Sequence, residues 1–267
     1  MRSQKEPMSS NLGSGSTVQR ERSRTAQQGF VPTAARSVTS TGPALKRPTT
    51  LPRPALATPR AVLFDLDGTL IDTMQLFADV AADVMVRHHG LDRARSRAAY
   101  LTTSGIPFFQ QLEVIVPGHA ANAGAAAEFE QLKVAATVDV GASDLTIAGL
   151  IQLRRLGIAT AVSSNNFQDQ VDKFVEHCPV ELDLALGFGN GLAKGAGHFD
   201  RACEVFDCTR EDLVFVGDSI ADAELARLGG VRFVARLGTF SEAAFRDVVP
   251  EAPVVEEIAE LVRLFVG

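Results

Sequence analysis

A run of bulky and β-branched residues, Ala61-Val62-Leu63-Phe64, ends in two carboxylates one residue apart and a glycine, Asp65-Leu66-Asp67-Gly68. Near-continuous apolar runs belong to strands buried on both faces, which implies a parallel sheet covered by helices. At the carboxyl end of such a strand, side chains enter the crevice where open α/β sheets bind ligands. Two aspartates placed there repel and desolvate one another, so the fold has to supply compensation, either a divalent cation or a phosphate-handling task. In an extended chain Asp65 and Asp67 point to opposite sides, and a turn at Gly68 bends the second back toward the first. One carboxylate is then placed to attack phosphorus while the other protonates the leaving oxygen.

The text that follows alternates helices and strands. Phe77, Val80, Ala81, Val84, Met85 and His88 recur at helical spacing, with Gly90 as a stop. His88 and His89 are adjacent and face different directions, so they read as last-turn cations or solvated groups rather than a metal site. The chain stays helical to about residue 140, broken by the loop Thr102–Phe108, whose glycine and proline fix its shape. Ser143 or Asp144 caps a helix that Gly157 ends, and Ile158–Val162 is a strand closing in Ser163-Ser164-Asn165-Asn166. Phe167, Val171, Phe174, Val175 and Cys178 form a helical stripe for the core. Leu182–Phe188 is a further strand, leading into a glycine-spaced loop that holds Lys194. Leu213–Val216 is a strand running into Gly217-Asp218-Ser219-Ile220-Ala221-Asp222, then a helix to Gly229-Gly230. Val231–Ala235 is one more strand and Ile258–Val266 a closing helix. Such alternation predicts an α/β fold, a doubly wound parallel sheet.

Three sites beyond the first strand carry chemistry of the same kind. Ser163 ends an apolar strand and offers a hydroxyl to a phosphate oxygen; its plainer role is to cap the helix that follows, a job that Asn165 or Asn166 could do instead. Lys194 lies among glycines between two strand–helix units; Lys173 competes with it but falls inside a helix. Asp218 leaves a strand end, and Asp222 lies one helical turn further on the same face, so both can turn toward one hard cation.

Asp65-Leu66-Asp67-Gly68-Thr69-Leu70, Ser163, Lys194 and Gly217-Asp218-Ser219-Ile220-Ala221-Asp222 together resemble, in chain order, the four signatures of the haloacid dehalogenase superfamily. The resemblance spans residues 61–267. The separation of about a hundred residues between the first two signatures resembles the helical-cap subgroup of phosphoglycolate phosphatase and β-phosphoglucomutase. It implies a Rossmann-like core over residues 61–72 and 141–267 with an inserted helical cap over 73–140. It also implies an Mg²⁺-dependent phosphatase that hydrolyses a small phosphorylated metabolite through an aspartyl-phosphate. Asp65 is then the nucleophile and Asp67 the general acid and base, with Ser163 and Lys194 as phosphate partners. Asp65, Asp67 (through its backbone carbonyl), Asp218 and Asp222 would serve the metal, Asp222 through water or Lys194. Ser163, Ser164, Asn165, Lys194 and the cap-loop residues Ser104 and Gly105 would bind substrate. The alternatives are a phosphomutase with the same core residues and, in a different class, a non-catalytic phosphate-binding domain. Retention of both Asp65 and Asp67 disfavours the second, and the acid at 67 disfavours a dehalogenase.

Composition bounds the rest. Residues 1–60 contain ten Lys/Arg and two Asp/Glu, a charge of +8, against sixteen and thirty, or −14, in the remainder. The first stretch is rich in Ser, Thr, Arg, Pro and Gly without apolar periodicity, and reads as a disordered basic tail. The acidic body, the absence of Trp and the single Tyr100 argue against nucleic acid as partner. No apolar run reaches the roughly 20 residues that span a bilayer, so no membrane partner is expected. Three cysteines without metal spacing suit a reduced, cytoplasmic protein, expected as a monomer or homodimer.

Overall fold

The computed structural model describes residues 56–137 and 140–266. The basic tail expected over residues 1–60 lies outside the described residues as far as residue 55. From Leu56 the chain is already held to the core, ahead of the expected boundary. Leu56 N donates to Leu264 O at 2.7 Å, Thr58 Oγ1 to Phe265 O at 3.3 Å, and Arg60 Nε to Phe206 O at 3.1 Å.

Strand β1 (Ala61–Phe64) is fully buried and is followed by four helices in succession: α1 (Met74–His89), α2 (Arg93–Thr102), α3 (Phe108–Ile115) and α4 (Asn122–Ala136). The chain then alternates through α5 (Asp144–Arg155), β2 (Ala159–Phe167), α6 (Gln168–His177), β3 (Leu184–Phe188), α7 (Ala196–Phe206), β4 (Leu213–Gly217), α8 (Ile220–Gly229) and β5 (Arg232–Arg236). It closes with α9 (Glu242–Val248), β6 (Val254–Val255), a 3₁₀ turn at Ile258–Leu261 and α10 (Val262–Phe265). The six strands are all parallel in the order β3-β2-β1-β4-β5-β6. After β3 the chain returns to the other side of β1, so the strand order reverses around β1. Phe64 pairs with Val162 of β2 and Val216 of β4. The crevice at that reversal opens at the carboxyl ends of β1, β2 and β4, where ligands enter such sheets.

Alternation along β1 sends Val62 and Phe64 to one face and Ala61 and Leu63 to the other. The first pair joins Val162, Val214, Val216, Leu150 and Leu153 under α5 and the closing segment. The second joins Ala161, Phe199, Phe215, Phe233 and Phe245 under α7, α8 and α9. Helices α1–α4 form a separate apolar cluster of their own around Phe77, Tyr100, Phe108, Leu112 and Phe129. Ser143 and Gly90 terminate helices as their residue types dictate: the Ser143 hydroxyl accepts from Thr146 N, and Gly90 takes φ +64°.

The structure departs from the sequence expectation at three places. β2 runs on through Ser163–Asn166 to Phe167, with its register broken between Ser163 and Phe167, because the Gln168 side chain continues the ladder by bonding Gly187 N and Ala185 O. Consequently neither Asn165 nor Asn166 caps α6, and Phe167 is exposed rather than part of the helical stripe. The closing helix divides, its buried residues Ile258, Leu261 and Phe265 spaced first by a 3₁₀ turn and then by an α turn. His88 and His89 are not merely solvated: their Nε2 atoms meet Glu128 Oε2 at 2.5 Å and Asn122 Oδ1 at 2.9 Å on α4. Among the described residues no helix is long and apolar enough to cross a membrane.

Candidate active site

The β1–β4 ladder continues one residue beyond the strand, since Asp65 N donates to Val216 O at 2.9 Å. This bond fixes Asp65 at the mouth of the crevice. The turn after it needs a glycine at 68, where φ is +84° and a Cβ would lie 2.2 Å from Asp218 Oδ2. Through that turn Asp67 comes back beside the site. Its Oδ1 accepts from Thr73 Oγ1 at 2.8 Å, its Oδ2 from Asn166 Nδ2 at 2.8 Å, and Lys133 Nζ lies 3.4 Å from Oδ2.

Lys194 reaches the crevice from the loop before α7. Its Nζ lies 2.6 Å from Asp65 Oδ1 and 2.5 Å from Asp222 Oδ1, while the competing Lys173 is exposed on α6. Burial opposes the Lys194 charge, but the Asp222 and Asp65 carboxylates outweigh it and hold the ammonium above its ordinary range. Burial pushes the Asp65 carboxyl up to about 7; Lys194 pulls it down, and Asp222 and Asp67 add repulsion. Burial, then Asp65 and Asp222, likewise drive Asp218 well above the carboxylate range.

Oxygens of Asp65, Asp218 and Asp222, all buried, lie within 4.8 Å of one another. Three carboxylates sharing one ammonium leave an excess of buried negative charge, which fits a hard divalent cation. Asp222 is already engaged: its Oδ2 accepts from Ser219 Oγ at 2.7 Å and Ser219 N at 3.3 Å, closing a capping box at the start of α8, and its Oδ1 meets Lys194. Asp218 Oδ2 accepts from Thr239 Oγ1. Of these three carboxylates, Asp65 Oδ2 and Asp218 Oδ1 are the oxygens left without a donor among the described residues.

Ser163 and Ser164 diverge. Ser163 is fully buried, with its Oγ 2.9 Å from His198 Nδ1. His198 Nε2 faces the Gly187 carbonyl at 3.2 Å, and a carbonyl only accepts, so Nε2 carries the proton and Nδ1 accepts from the serine. Burial lowers His198 to about 4, with Lys194 adding to the fall against the Gly187 bond, which keeps the ring neutral. Ser164 instead lines the cavity together with Asn165, Asn166, Lys194 and Asp218. Its Oγ accepts from Asn166 N at 3.1 Å, leaving its own proton free for a ligand.

The helical block covers this crevice. At Gly105, φ is +94° and a Cβ would meet Ser219 Oγ at 2.2 Å, so the Ser104–Gly105 loop lies directly on the start of α8. Asn165 Nδ2 donates to Gly105 O at 3.0 Å. Between block and sheet is a cavity of about 80 Å³ that includes Asp65, Asp67, Ser104, Phe108, Glu130 and Lys133 in its walls.

Asp65, Asp67, Ser164, Asn165, Lys194, Asp218, Ser104 and Gly105 therefore gather on one cavity, with Asp222 behind Lys194 and Ser163 turned to His198. Sequence reasoning missed Thr73, Glu130, Lys133, Asn166, His198 and Thr239. One signal was available for Lys133: it lies four residues after the buried Phe129 on α4, an ammonium on an apolar helix face.

Comparison with known proteins agrees with this architecture. Residues 62–236 match the family model described as haloacid dehalogenase-like hydrolase. No curated protein sequence matches the chain. Among solved structures, a Lactobacillus delbrueckii subsp. bulgaricus protein assigned as a phosphoglycolate phosphatase is 18% identical, with TM-score 0.68 over 79% of this chain and 100% of that one. A haloacid dehalogenase-like family hydrolase from Streptococcus pneumoniae is 16% identical, with TM-score 0.66 over 77% and 98%. CbbY from Rhodobacter sphaeroides, in complex with phosphate, is 20% identical, with TM-score 0.59 over 76% and 96%.

Proposed function

The chain belongs to the haloacid dehalogenase-like hydrolases, and from that premise we propose that it is an Mg²⁺-dependent phosphatase acting on a small phosphate monoester. The observation that carries this reading is the Asp65–Lys194–Asp222 chain of contacts, 2.6 and 2.5 Å long, at the carboxyl end of β1. It sets a lysine-bound carboxylate beside Asp67 at the reversal point of the sheet. Mg²⁺, when bound by Asp65, Asp218 and the Asp67 backbone carbonyl, with Asp222 in support, would draw charge from the phosphate and from the nucleophile.

An Asp65 carboxylate oxygen attacks phosphorus in line, the ester P–O bond breaks, and an aspartyl-phosphate forms. Asp67 gives its proton to the departing alkoxide. As a carboxylate, Asp67 then takes a proton from water, whose oxygen attacks phosphorus and breaks the bond to Asp65. Lys194 holds the Asp65 side of this site, and the Ser164 hydroxyl donates to a phosphate oxygen. Closure of α1–α4 over the cavity keeps bulk water out. The three free thiols, Cys178, Cys203 and Cys208, suit the reducing cytoplasm that this reading implies.

The test is a phosphate-release screen over small phosphoesters with and without Mg²⁺, with Asp65→Asn as control. Mg²⁺-dependent release by the wild type and none by a folded Asp65→Asn is the expected result. Turnover that survives chelation, or that Asp65→Asn retains, rules the reading out.

A further inference from the structure

The charges on the cavity wall restrict what the phosphate can be attached to. The ammonium groups on that wall belong to Lys133 and Lys194. Lys194 is committed to Asp65 and Asp222, and Lys133 to Asp67 and the Asn166 amide oxygen. Among the described residues no arginine or histidine lines the cavity. Asp65, Asp67, Asp218 and Glu130 all do. A leaving group bearing its own carboxylate or second phosphate would thus find no free counter-ion beyond the groups that hold the transferred phosphate.

Glu130 turns this shortage into a preference. It follows Phe129 on α4 and is half-buried, and its carboxylate makes no hydrogen bond or ion pair with the described residues. Burial pushes its carboxyl up, Lys133 pulls the other way and Asp67 adds to the rise. Ser104 is more deeply buried, and its Oγ also lacks a partner. Gln111, by contrast, is spent internally: it accepts from Thr103 Oγ1 at 2.9 Å and donates to Ile106 O at 3.0 Å. A buried hydroxyl without a partner, such as Ser104 Oγ, is rare and calls for a water or a ligand.

Building on the phosphatase reading, we infer that the substrate's leaving group is neutral or cationic, presents hydroxyl or protonated amine donors to Glu130 and Ser104, and carries no second acidic group. Glu130 accepts those donors and repels an anion, so one side chain supplies both the attractive and the repulsive part of selectivity.

Four esters of similar size separate the possibilities: phosphoethanolamine, glycerol phosphate, ethyl phosphate and 2-phosphoglycolate, compared by kcat/KM with Mg²⁺. The wild type should favour the amine and hydroxyl esters over 2-phosphoglycolate by about 100-fold, as expected where a site hydrogen-bonds one ligand and opposes the charge of another. Glu130→Gln should narrow that ratio by about tenfold or more, raising 2-phosphoglycolate and lowering phosphoethanolamine. Beryllofluoride binding, which needs only the phosphate side of the cavity, checks that the variant is folded. A wild-type preference for 2-phosphoglycolate overturns the inference, as does a ranking unmoved by Glu130→Gln. If that variant does not fold, the wild-type ranking alone decides. Failure of all four esters, ethyl phosphate included, would remove the phosphatase reading itself, whereas turnover with the wrong ranking removes only the role of Glu130.

Discussion

Lys133 Nζ, from the last helix of the helical block, stands 3.4 Å from Oδ2 of Asp67, the second acid after β1. The same ammonium binds the Asn166 amide oxygen and lies 4.8 Å from the centre of the Phe77 ring. The proposed proton donor therefore answers to a residue that arrives only with the helical block. Lys133→Met removes the cation while keeping the stem. It should lower kcat by about tenfold, less than the roughly 100-fold or more that a positioned acid–base group itself contributes because Lys133 acts only through Asp67, with a smaller change in KM. Lys133→Arg should restore part of the loss. A kcat within about twofold of wild type would show that Lys133 only packs.

Asp218, at the end of β4, and Asp222, in the first turn of α8, should respond differently to magnesium. Asp218 keeps one carboxylate oxygen without a donor, whereas Asp222 is filled by Ser219 and Lys194. Asp218→Ala is expected to be inactive at any attainable Mg²⁺ concentration. Asp222→Ala should lose about 10–100-fold, as outer partners of a metal site do, and recover partly as Mg²⁺ is raised. Hydrolysis titrated against Mg²⁺ checks both, and the reverse pattern would exchange the two roles.

The adjacent serines should also separate. Ser163 gives its proton to His198, while Ser164 faces the cavity. Ser164→Ala should raise KM and weaken inhibition by inorganic phosphate by about tenfold, the worth of a hydrogen bond to a charged group. Ser163→Ala should mainly reduce thermal stability. Measuring phosphate inhibition and Tm for both variants tests the division; a loss of phosphate affinity confined to Ser163→Ala would contradict it.

His198 makes stability depend on pH. Its folded value, about 4, lies below the ordinary 6.5, so the unfolded chain binds the extra proton between those two pH values. The contribution is complete above pH 6.5 and is lost as pH falls toward 4, by about 3 kcal/mol in all. Denaturant unfolding between pH 7 and pH 4.5 should show this decline. In His198→Gln, which retains hydrogen-bonding groups but does not titrate there, the fall should be shallower. Equal slopes in the two proteins would remove His198 as its source.

What the sequence determined by itself is local or periodic. The apolar run Ala61–Phe64, the glycine at 68 and the helical spacing of Phe77, Ala81, Val84 and Met85 each carry their structure in neighbouring residues. Side-chain burial on a strand and on a helix repeats at different intervals, and glycine at positive φ has no substitute of equal ease. The family-order placement of Asp65, Lys194 and Asp218 was legible for the same reason, since each follows a recognisable strand end. The sequence did not determine which of two adjacent serines faces the cavity, because β2 continues past Ser163 and breaks its register, an outcome set by Gln168 bonding to β3. Nor did it determine the partners of Asp67. Thr73, Lys133 and Asn166 come from three separate segments, up to ninety-nine residues away. Lys133 and Glu130 lie on an ordinary helical stretch, and only the packing of that helix over the crevice gives them a carboxylate to pair with and a cavity to line.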